Sequence, residues 1–201
     1  MSTRWYQEKK REHYYKQAKQ QGYRARSAYK LKQIHSKYHI FKKGDTVIDL
    51  GAAPGGWSQV AQELIGPTGM IIGVDLEPMA PLDNVVFIQG DMTTEQTKEQ
   101  LTEAMKGTQA DVILSDMSPD ITGNYTMDQA RSVWLCLQAF EVAQHLLKSQ
   151  GHFICKLFEG EDKKDILNPL QQSFYIVKQF SPQASRKSSS ETYLIAKGYK
   201  G

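Results

Sequence analysis

The strongest constraint on the fold is an alternation of short apolar runs with longer amphipathic stretches from Thr46 onward. The apolar runs are rich in β-branched residues and predict strands at 46–50, 70–76, 84–89, 111–116 and 152–158. The stretches between them predict helices over 57–65, 94–106 and 127–149. Strands that alternate with helices usually pair in parallel, and the helices cover both faces of the sheet. The pattern therefore predicts an α/β fold with a mostly parallel sheet.

The two ends of the chain depart from this alternation. The runs at 174–180 and 192–198 are joined by the polar, basic segment SPQASRKSSSE, which predicts two adjacent strands, one of them antiparallel. Before the first strand, 4–20 and 27–37 are predicted to be helical, with Ser27 as an N-cap. We therefore divide the chain into a basic N-terminal helical extension, residues 1–43, and an α/β domain, residues 44–201.

The N-terminal extension concentrates the positive charge of the chain. Residues 1–43 hold 13 Lys and Arg against 2 Asp and Glu, whereas residues 44–201 hold 12 against 20. Aromatic residues are interleaved with these cations: Trp5, Tyr6, Tyr14, Tyr15, Tyr23, Tyr29 and Tyr38. Because rings stack on unpaired bases while Lys and Arg hold phosphates, the extension is predicted to bind RNA. A solvated charged helix is the alternative interpretation.

The segment IDLGAAPGGWSQ follows the first strand and opens a helix, which predicts a ligand-binding loop. Small residues at 51–53, 55 and 56 allow a ligand to approach the backbone closely. The loop does not match G-x-G-x-x-G, because Ala53 stands at the second glycine position and Pro54 follows it. The chain also lacks G-x-x-x-x-G-K-[ST]. Dinucleotide and P-loop nucleotide binding are therefore disfavoured.

Carboxylates end the next three predicted strands. Asp75 is placed to accept hydrogen bonds from ribose hydroxyls, Asp91 follows the third strand, and Asp116 ends the fourth. Ligands of open parallel sheets bind beyond the carboxyl ends of the strands, so these side chains are expected to share one site. Acidic groups suit a cationic cofactor and repel a pyrophosphate. S-adenosylmethionine, which carries a sulfonium and an ammonium but no phosphate, is the predicted cofactor.

Five motifs in order carry a resemblance to a known family: RSAYKL, GAAPGGWSQ, SDMSPD, KLFEG and SSETYLIAKG. From about Arg24 to Gly198 the chain resembles the FtsJ-type methyltransferases of large-subunit ribosomal RNA, which methylate ribose 2′-hydroxyls with S-adenosylmethionine. The resemblance implies a Rossmann-like S-adenosylmethionine-dependent methyltransferase fold. In that fold a seven-stranded, mostly parallel sheet has helices on both faces, and its last two strands are out of parallel order.

The same resemblance implies the site residues. The catalytic set falls on Lys30, Asp116, Lys156 and Glu191, with Lys156 as the proton acceptor. Cofactor contacts fall on Gly55, Trp57, Asp75, Asp91 and Asp116. The implied reaction is an in-line displacement in which a ribose 2′-oxygen attacks the methyl carbon.

The predicted substrate is a uridine of 23S ribosomal RNA, gripped by the N-terminal helices and by Arg186 and Lys187 at the mouth of the site. A transfer RNA 2′-O-methyltransferase and a non-catalytic RNA-binding ribosome assembly factor are the alternatives. A base-amino methyltransferase is disfavoured because DMSP lacks the aromatic residue of the D/N-P-P-aromatic loop. An NAD-dependent oxidoreductase is disfavoured by Ala53 and Pro54.

Cysteine chemistry is not expected at the site. Cys155 neighbours Lys156 on a strand, so its side chain should point to the opposite face, and Cys136 is predicted to be core. Two cysteines are too few for a disulfide framework and indicate a reducing compartment, hence the cytoplasm. Trp134, Leu137 and Phe140 follow helical spacing and are predicted to be core.

The sequence predicts no membrane segment and no metal site. It has neither an apolar run of ~20 residues nor a signal-peptide h-region. Its five His residues are scattered, and His35 and His39 lack the glutamate of H-E-x-x-H. A monomer is the default expectation.

Overall fold

The computed structural model describes residues 14–185 and 190–201. In these residues the apolar runs form one seven-stranded sheet. Its strands are Thr46–Leu50 (β1), Met70–Asp75 (β2), Val85–Gln89 (β3), Ala110–Ser115 (β4), Leu147–Phe158 (β5), Phe174–Phe180 (β6) and Glu191–Tyr199 (β7). The helices are Ala28–Tyr38 (α1), Gly56–Ile65 (α2), Glu95–Ala104 (α3), Tyr125–Leu146 (α4) and Lys163–Ser173 (α5), and residues 14–20 are also helical.

The strand order is β3-β2-β1-β4-β5-β7-β6. Strands β1 to β5 pair in parallel, and β7 lies antiparallel between β5 and β6. The prediction of two closing strands with one antiparallel is confirmed. The order reverses between β1 and β4, so the carboxyl ends of these strands flank the crevice where open α/β sheets bind ligands.

Helices cover both faces of the sheet, as predicted. On one face, α3, α4 and α5 pack on a cluster that includes Ile48 and Phe153. On the other, α1 and α2 pack on a cluster that includes Val47. Leu31 and Ile34 of α1 are fully buried in that second cluster. The later part of the basic extension therefore belongs to the same core as the sheet.

The structure differs from the sequence pattern around β5. Helix α4 ends at Leu146, three residues before the predicted end, and β5 begins immediately at Leu147. The chain has no breaker before Gly151, so the apolar spacing alone did not locate this boundary. Helix α5 was not predicted, because it contains Pro169 and buries only Ile166 and Leu170.

The prediction for Trp134 is wrong, and that for Ser27 is confirmed only in its position. Trp134 is 49% exposed, whereas Phe140 on the same helix is buried as predicted. Helix α4 buries the face that carries Val133 and Cys136, and at 100° per residue Trp134 points away from it. Ser27 occupies the N-cap position of α1 but its side chain makes no capping hydrogen bond. The part of the first predicted helix at 4–13 lies outside the described residues.

No helix within residues 14–185 and 190–201 has the length and apolar character needed to cross a membrane.

Candidate active site

A cleft of about 240 Å³ lies at the carboxyl ends of β1 to β4. The loops that follow these four strands supply most of its lining, including Gly51, Ala53, Asp75, Leu76, Asp91, Met92, Asp116 and Met117. Gly51 has φ +78°, and a Cβ there would lie 2.9 Å from both Cγ and the backbone N of Met117. Only glycine therefore allows the loops after β1 and β4 to approach this closely.

Two predicted cofactor residues, Asp75 and Asp91, present carboxylates to this cleft. Asp75 accepts hydrogen bonds from the backbone N–H groups of Ala53 (2.8 Å) and Glu77 (2.9 Å). Asp91 accepts from the backbone N–H (2.9 Å) and hydroxyl (2.7 Å) of Thr93. A carboxylate has about four lone-pair positions, so each group can accept further hydrogen bonds from a ligand.

A third predicted cofactor residue, Asp116, also lines the cleft, whereas the remaining two, Gly55 and Trp57, lie at the start of α2 and outside its lining. The Trp57 side chain is 2% exposed, and its indole N–H donates to the carbonyl of Ser27 at 2.9 Å. Its ring also packs against Tyr193, with centroids 5.5 Å apart. The Trp57 side chain thus joins α1, α2 and β7, so a ligand at Gly55 and Trp57 could use only their backbone groups.

The structure brings the four predicted catalytic side chains together beside the cleft. Antiparallel pairing of β5 with β7 sets Lys156 opposite Tyr193, and Glu191 lies two residues before Tyr193, on the same face of β7. Lys156 donates from Nζ to the backbone carbonyl of Asp116 (2.6 Å) and contacts its carboxylate Oδ1 (2.9 Å). Lys30, from α1, forms an ion pair with Glu191. All four side chains are at most 15% exposed.

Tyr193 links the two ion pairs and was not identified from the sequence. Its hydroxyl donates to Asp116 Oδ1 at 2.8 Å, and Glu191 Oε1 lies 3.2 Å away. Lys30 Nζ lies 3.4 Å from the same hydroxyl. The period of two in TYLIAKG could have placed Tyr193 on the face of Glu191, but an aromatic residue in an apolar strand indicates core.

The protonation states of Glu191 and Tyr193 follow from their surroundings. Burial alone would raise the pKa of Glu191, but the ammonium groups of Lys30 and Lys156 and the Ser185 hydroxyl outweigh it and hold this pKa below its usual value. Burial, together with the carboxylates of Asp116 and Glu191, raises the pKa of Tyr193 well above its usual value. Glu191 is therefore an anion, and Tyr193 is a neutral hydrogen-bond donor.

A further carboxyl, Asp49, lies fully buried in β1. Ser58 donates to its Oδ2 at 2.6 Å, and its Oδ1 has no hydrogen-bond partner among the described residues. Burial raises the pKa of Asp49 to about 7; the Ser58 hydrogen bond lowers it, while the carboxylates of Asp116 and Asp75 raise it. Several carboxyls thus surround the cleft, and a cationic ligand would relieve their mutual repulsion.

Four aromatic rings of the extension pack on neighbouring side chains, which corrects for Tyr23 and Tyr29 the prediction that they stack on bases. Tyr23 and Tyr29 are buried, and their hydroxyls donate to side chains of Glu63 and Gln21. Tyr14 and Tyr38 pack against Tyr29 and Phe180, with centroids 5.4 and 5.6 Å apart. Tyr15 is 61% exposed. Trp5, Tyr6, Arg186 and Lys187 lie outside the described residues.

The extension nevertheless forms one wall of the site. Gln33 of α1 accepts a hydrogen bond from the backbone N–H of Ala184 (3.3 Å) and donates to the Tyr14 hydroxyl (3.3 Å). Ser185 donates to Glu191 Oε1 at 3.0 Å. The helical residues 14–20, α1 and the segment after β6 therefore meet beside the Lys30–Glu191 pair.

Two solved structures have folds similar to that of this chain. A Plasmodium falciparum protein described as a ribosomal RNA methyltransferase has a TM-score of 0.81 and 32% sequence identity, over 89% of this chain and 100% of that one. Aeropyrum pernix fibrillarin, solved with natively bound S-adenosyl-L-methionine, has a TM-score of 0.59 and 19% identity, over 85% of this chain and 76% of that one. The second comparison supports the fold only.

Sequence comparisons cover nearly the whole chain. Ribosomal RNA large subunit methyltransferase E of Halorubrum lacusprofundi is 53% identical over 190 residues, which is 94% of this chain and 71% of that protein. The protein of the same name from Methanothrix thermoacetophila is 50% identical over 187 residues, 93% of this chain and 72% of that protein. The family model described as FtsJ-like methyltransferase matches residues 23–199. The chain therefore belongs to the FtsJ-like methyltransferase family.

Proposed function

We propose that this protein transfers a methyl group from S-adenosylmethionine to a ribose 2′-hydroxyl of large-subunit ribosomal RNA, with uridine as the expected nucleoside. The observation that carries the proposal is the pair formed by Lys156 and Asp116, because Asp116 also lines the cleft. A basic side chain at that position would lie beside a methyl donor held in the cleft. Family membership and the names of the relatives support the substrate class.

The cleft suits S-adenosylmethionine in charge and in polarity. Asp75 and Asp91 offer acceptors for ribose hydroxyls and an adenine amino group, and neither would tolerate a pyrophosphate. Leu76, which is 64% exposed, and Met92 give the same cleft apolar surface that an adenine ring can cover. The bound cofactor supplies an electrophilic methyl group on a sulfonium that leaves as a neutral thioether.

Lys156 is the proposed general base for the incoming hydroxyl. A ribose hydroxyl is a poor nucleophile at neutral pH, so its proton must be removed as the new bond forms. The Lys156 ammonium must first lose a proton, and the neutral amine that results has two N–H bonds and one lone pair. The carbonyl and the carboxylate of Asp116 accept both N–H groups, which leaves the lone pair of Lys156 for the proton of the substrate.

Lys30, Glu191 and Tyr193 are proposed to hold the ribose in line with the methyl group. The Lys30 ammonium stabilises negative charge that develops on the attacking oxygen, and Glu191 fixes the orientation of this ammonium. Tyr193 orients the Asp116 carboxylate, because its hydroxyl donates to Asp116 Oδ1. Correct alignment can contribute up to ~7–11 kcal/mol of the barrier, so these positioning contacts matter as much as the base.

The basic extension is proposed to bind RNA phosphates beside this site. It carries most of the positive charge of the chain, and its described part borders the Lys30–Glu191 pair. The division of the chain into an RNA-binding extension, residues 1–43, and a methyltransferase domain, residues 44–201, is part of this proposal. Contacts to phosphates release counterions, so binding should weaken steeply with salt.

The proposal is tested by labelled methyl transfer to purified RNA fractions from cells that lack the enzyme. Large-subunit ribosomal RNA, free and in assembled subunits, should accept label, and nucleoside analysis should place it on 2′-O-methyluridine. Small-subunit ribosomal RNA and transfer RNA are the matched controls. Label in transfer RNA would favour the transfer RNA enzyme, label on a base would refute ribose chemistry, and RNA binding without transfer would favour an assembly factor.

A further inference from the structure

Arg24, in the basic extension, donates from its partly exposed guanidinium to protein backbone. Nη1 donates to the carbonyls of Ala80 (2.6 Å) and Pro54 (3.2 Å), and Nη2 donates to the carbonyl of Pro81 (2.8 Å). One side chain therefore joins two loops that are distant in sequence. The planar, forked guanidinium can bond several carbonyls at once, which a lysine ammonium does less well.

Both loops held by Arg24 border the cofactor cleft. Pro54 belongs to the loop after β1, which presents Gly51 and Ala53 to the cleft. Ala80 and Pro81 belong to the loop between β2 and β3, which begins at Leu76, directly after Asp75. Arg24 therefore joins two loops that border the cleft. One is the β2–β3 loop, which follows the proposed ribose acceptor Asp75, and the other is the loop after β1.

The packing around Gly55 shows how closely these parts approach. A Cβ at Gly55 would lie 3.0 Å from Leu82 Cδ1, and 3.1 Å from both Arg24 Nη1 and Met79 Sδ. Met79 and Leu82 belong to the β2–β3 loop, so this loop packs on the first turn of α2 with Arg24 at the contact. The absence of a side chain at Gly55 makes room for that arrangement.

Helix α2 fixes the backbone of the segment that carries Arg24. The backbone N–H of Arg24 donates to Gln59 Oε1 at 2.8 Å, and Gln59 Nε2 donates to the carbonyl of Gly22 at 3.0 Å. The same helix reaches the β2–β3 loop through Gln62, which donates to the carbonyl of Asp83. The guanidinium therefore acts from a fixed backbone position.

We propose that Arg24 is a positioning residue for the cofactor cleft, which holds the β2–β3 loop in its binding conformation, and that it is not an RNA phosphate contact. The inference rests on S-adenosylmethionine as the cofactor. A loop that is already ordered loses less conformational entropy when a ligand binds, so removal of the Arg24 contacts lowers cofactor affinity. RNA affinity is then set by other cations of the extension.

The test compares Arg24→Gln and Arg24→Lys with Lys19→Gln, which removes the same charge from an exposed position of the extension. Calorimetry with S-adenosylmethionine and with S-adenosylhomocysteine gives the dissociation constants. Arg24→Gln should bind both about tenfold more weakly, which corresponds to ~1.4 kcal/mol. Arg24→Lys should fall between Arg24→Gln and wild type, and Lys19→Gln should match wild type.

Steady-state kinetics distinguish a positioning role of Arg24 from a role in the general stability of the protein. In Arg24→Gln the KM for S-adenosylmethionine should rise while the KM for RNA and its salt dependence stay unchanged. An unchanged cofactor affinity with a raised KM for RNA and a flatter salt dependence would overturn the proposal and assign Arg24 to a phosphate. If Arg24→Gln fails to fold, Arg24→Lys decides, and wild-type cofactor affinity in that variant contradicts the proposal. Failure of the wild-type protein to bind S-adenosylmethionine would instead refute the proposed function.

Discussion

The buried carboxyl of Asp49 should make the protein less stable as the pH rises from about 4 to about 7. Its pKa is 3.8 in an ordinary setting and about 7 in the folded protein, chiefly because burial disfavours the charged form. Between these two values the unfolded chain loses the proton while the folded protein keeps it. The unfolded state is thus favoured increasingly until the folded protein also ionises near pH 7.

The size of this effect follows from the shift in pKa. A difference of about three pKa units at ~1.36 kcal/mol each gives about 4 kcal/mol of lost stability above pH 7. That loss is a large fraction of the ~5–15 kcal/mol that stabilises a typical domain. Asp49→Asn keeps the shape of the side chain and removes its ionisation, so the variant should not lose this stability.

Chemical denaturation of wild type and Asp49→Asn from pH 4 to pH 9 at fixed ionic strength measures the difference. The free energy of unfolding of the variant, relative to wild type, should rise by about 4 kcal/mol between pH 4 and pH 7 and then level off. Ser58→Ala removes a hydrogen bond that lowers the pKa of Asp49, so it should move the levelling-off to higher pH. A difference that stays constant over the whole range would show that folding does not shift the pKa of Asp49.

Three further predictions concern the site and the extension. Tyr193→Phe removes the hydroxyl that donates to Asp116 Oδ1; loss of this buried hydrogen bond costs ~1–3 kcal/mol, so single-turnover methyl transfer should slow about 5- to 100-fold with unchanged cofactor affinity. Asp75→Asn should weaken S-adenosylmethionine binding by ~1–3 kcal/mol in calorimetry, and an unaltered affinity would remove Asp75 from the ribose contact. Deletion of residues 1–20 should weaken RNA binding and flatten its dependence on salt in filter binding; an unchanged slope would argue against an RNA-binding role for this segment.

The sheet was predictable because each strand carries its own local signal. The run TVIDL of β1 is short, β-branched and bounded by glycines, so its identity does not depend on contacts elsewhere. Helix α5 lacks such a signal, because its interior proline and two buried residues resemble a loop pattern. Trp134 was misplaced because spacing identifies an apolar face but not which side of a helix meets the sheet.

The site was predictable where a general rule of α/β sheets applies. Asp75, Asp91 and Asp116 each follow a parallel strand, and such positions converge at one edge. Lys30 and Glu191 could be placed only through the family resemblance, since a lysine in a helix and a glutamate after three serines are ordinary surface residues. The contact between them joins segments 161 residues apart, which no local pattern encodes.

Tyr193 and Arg24 show how tertiary contacts change the meaning of a residue. In sequence, Tyr193 belongs to an apolar strand and Arg24 to a basic run. In the fold, the first is a buried donor between two carboxylates and the second binds three backbone carbonyls. The composition of the extension predicted that it supplies cationic side chains, but it did not predict which groups those side chains contact.

The most direct test of the account is the effect of Lys156→Ala on single-turnover methyl transfer at saturating S-adenosylmethionine and RNA. Loss of the general base should slow transfer by about 10²–10⁴-fold while cofactor affinity stays within about threefold of wild type. Lys163→Ala, which removes a half-exposed lysine from α5, is the matched control and should transfer methyl groups at the wild-type rate. A Lys156→Ala rate within about threefold of wild type would contradict the assignment of Lys156 as the base.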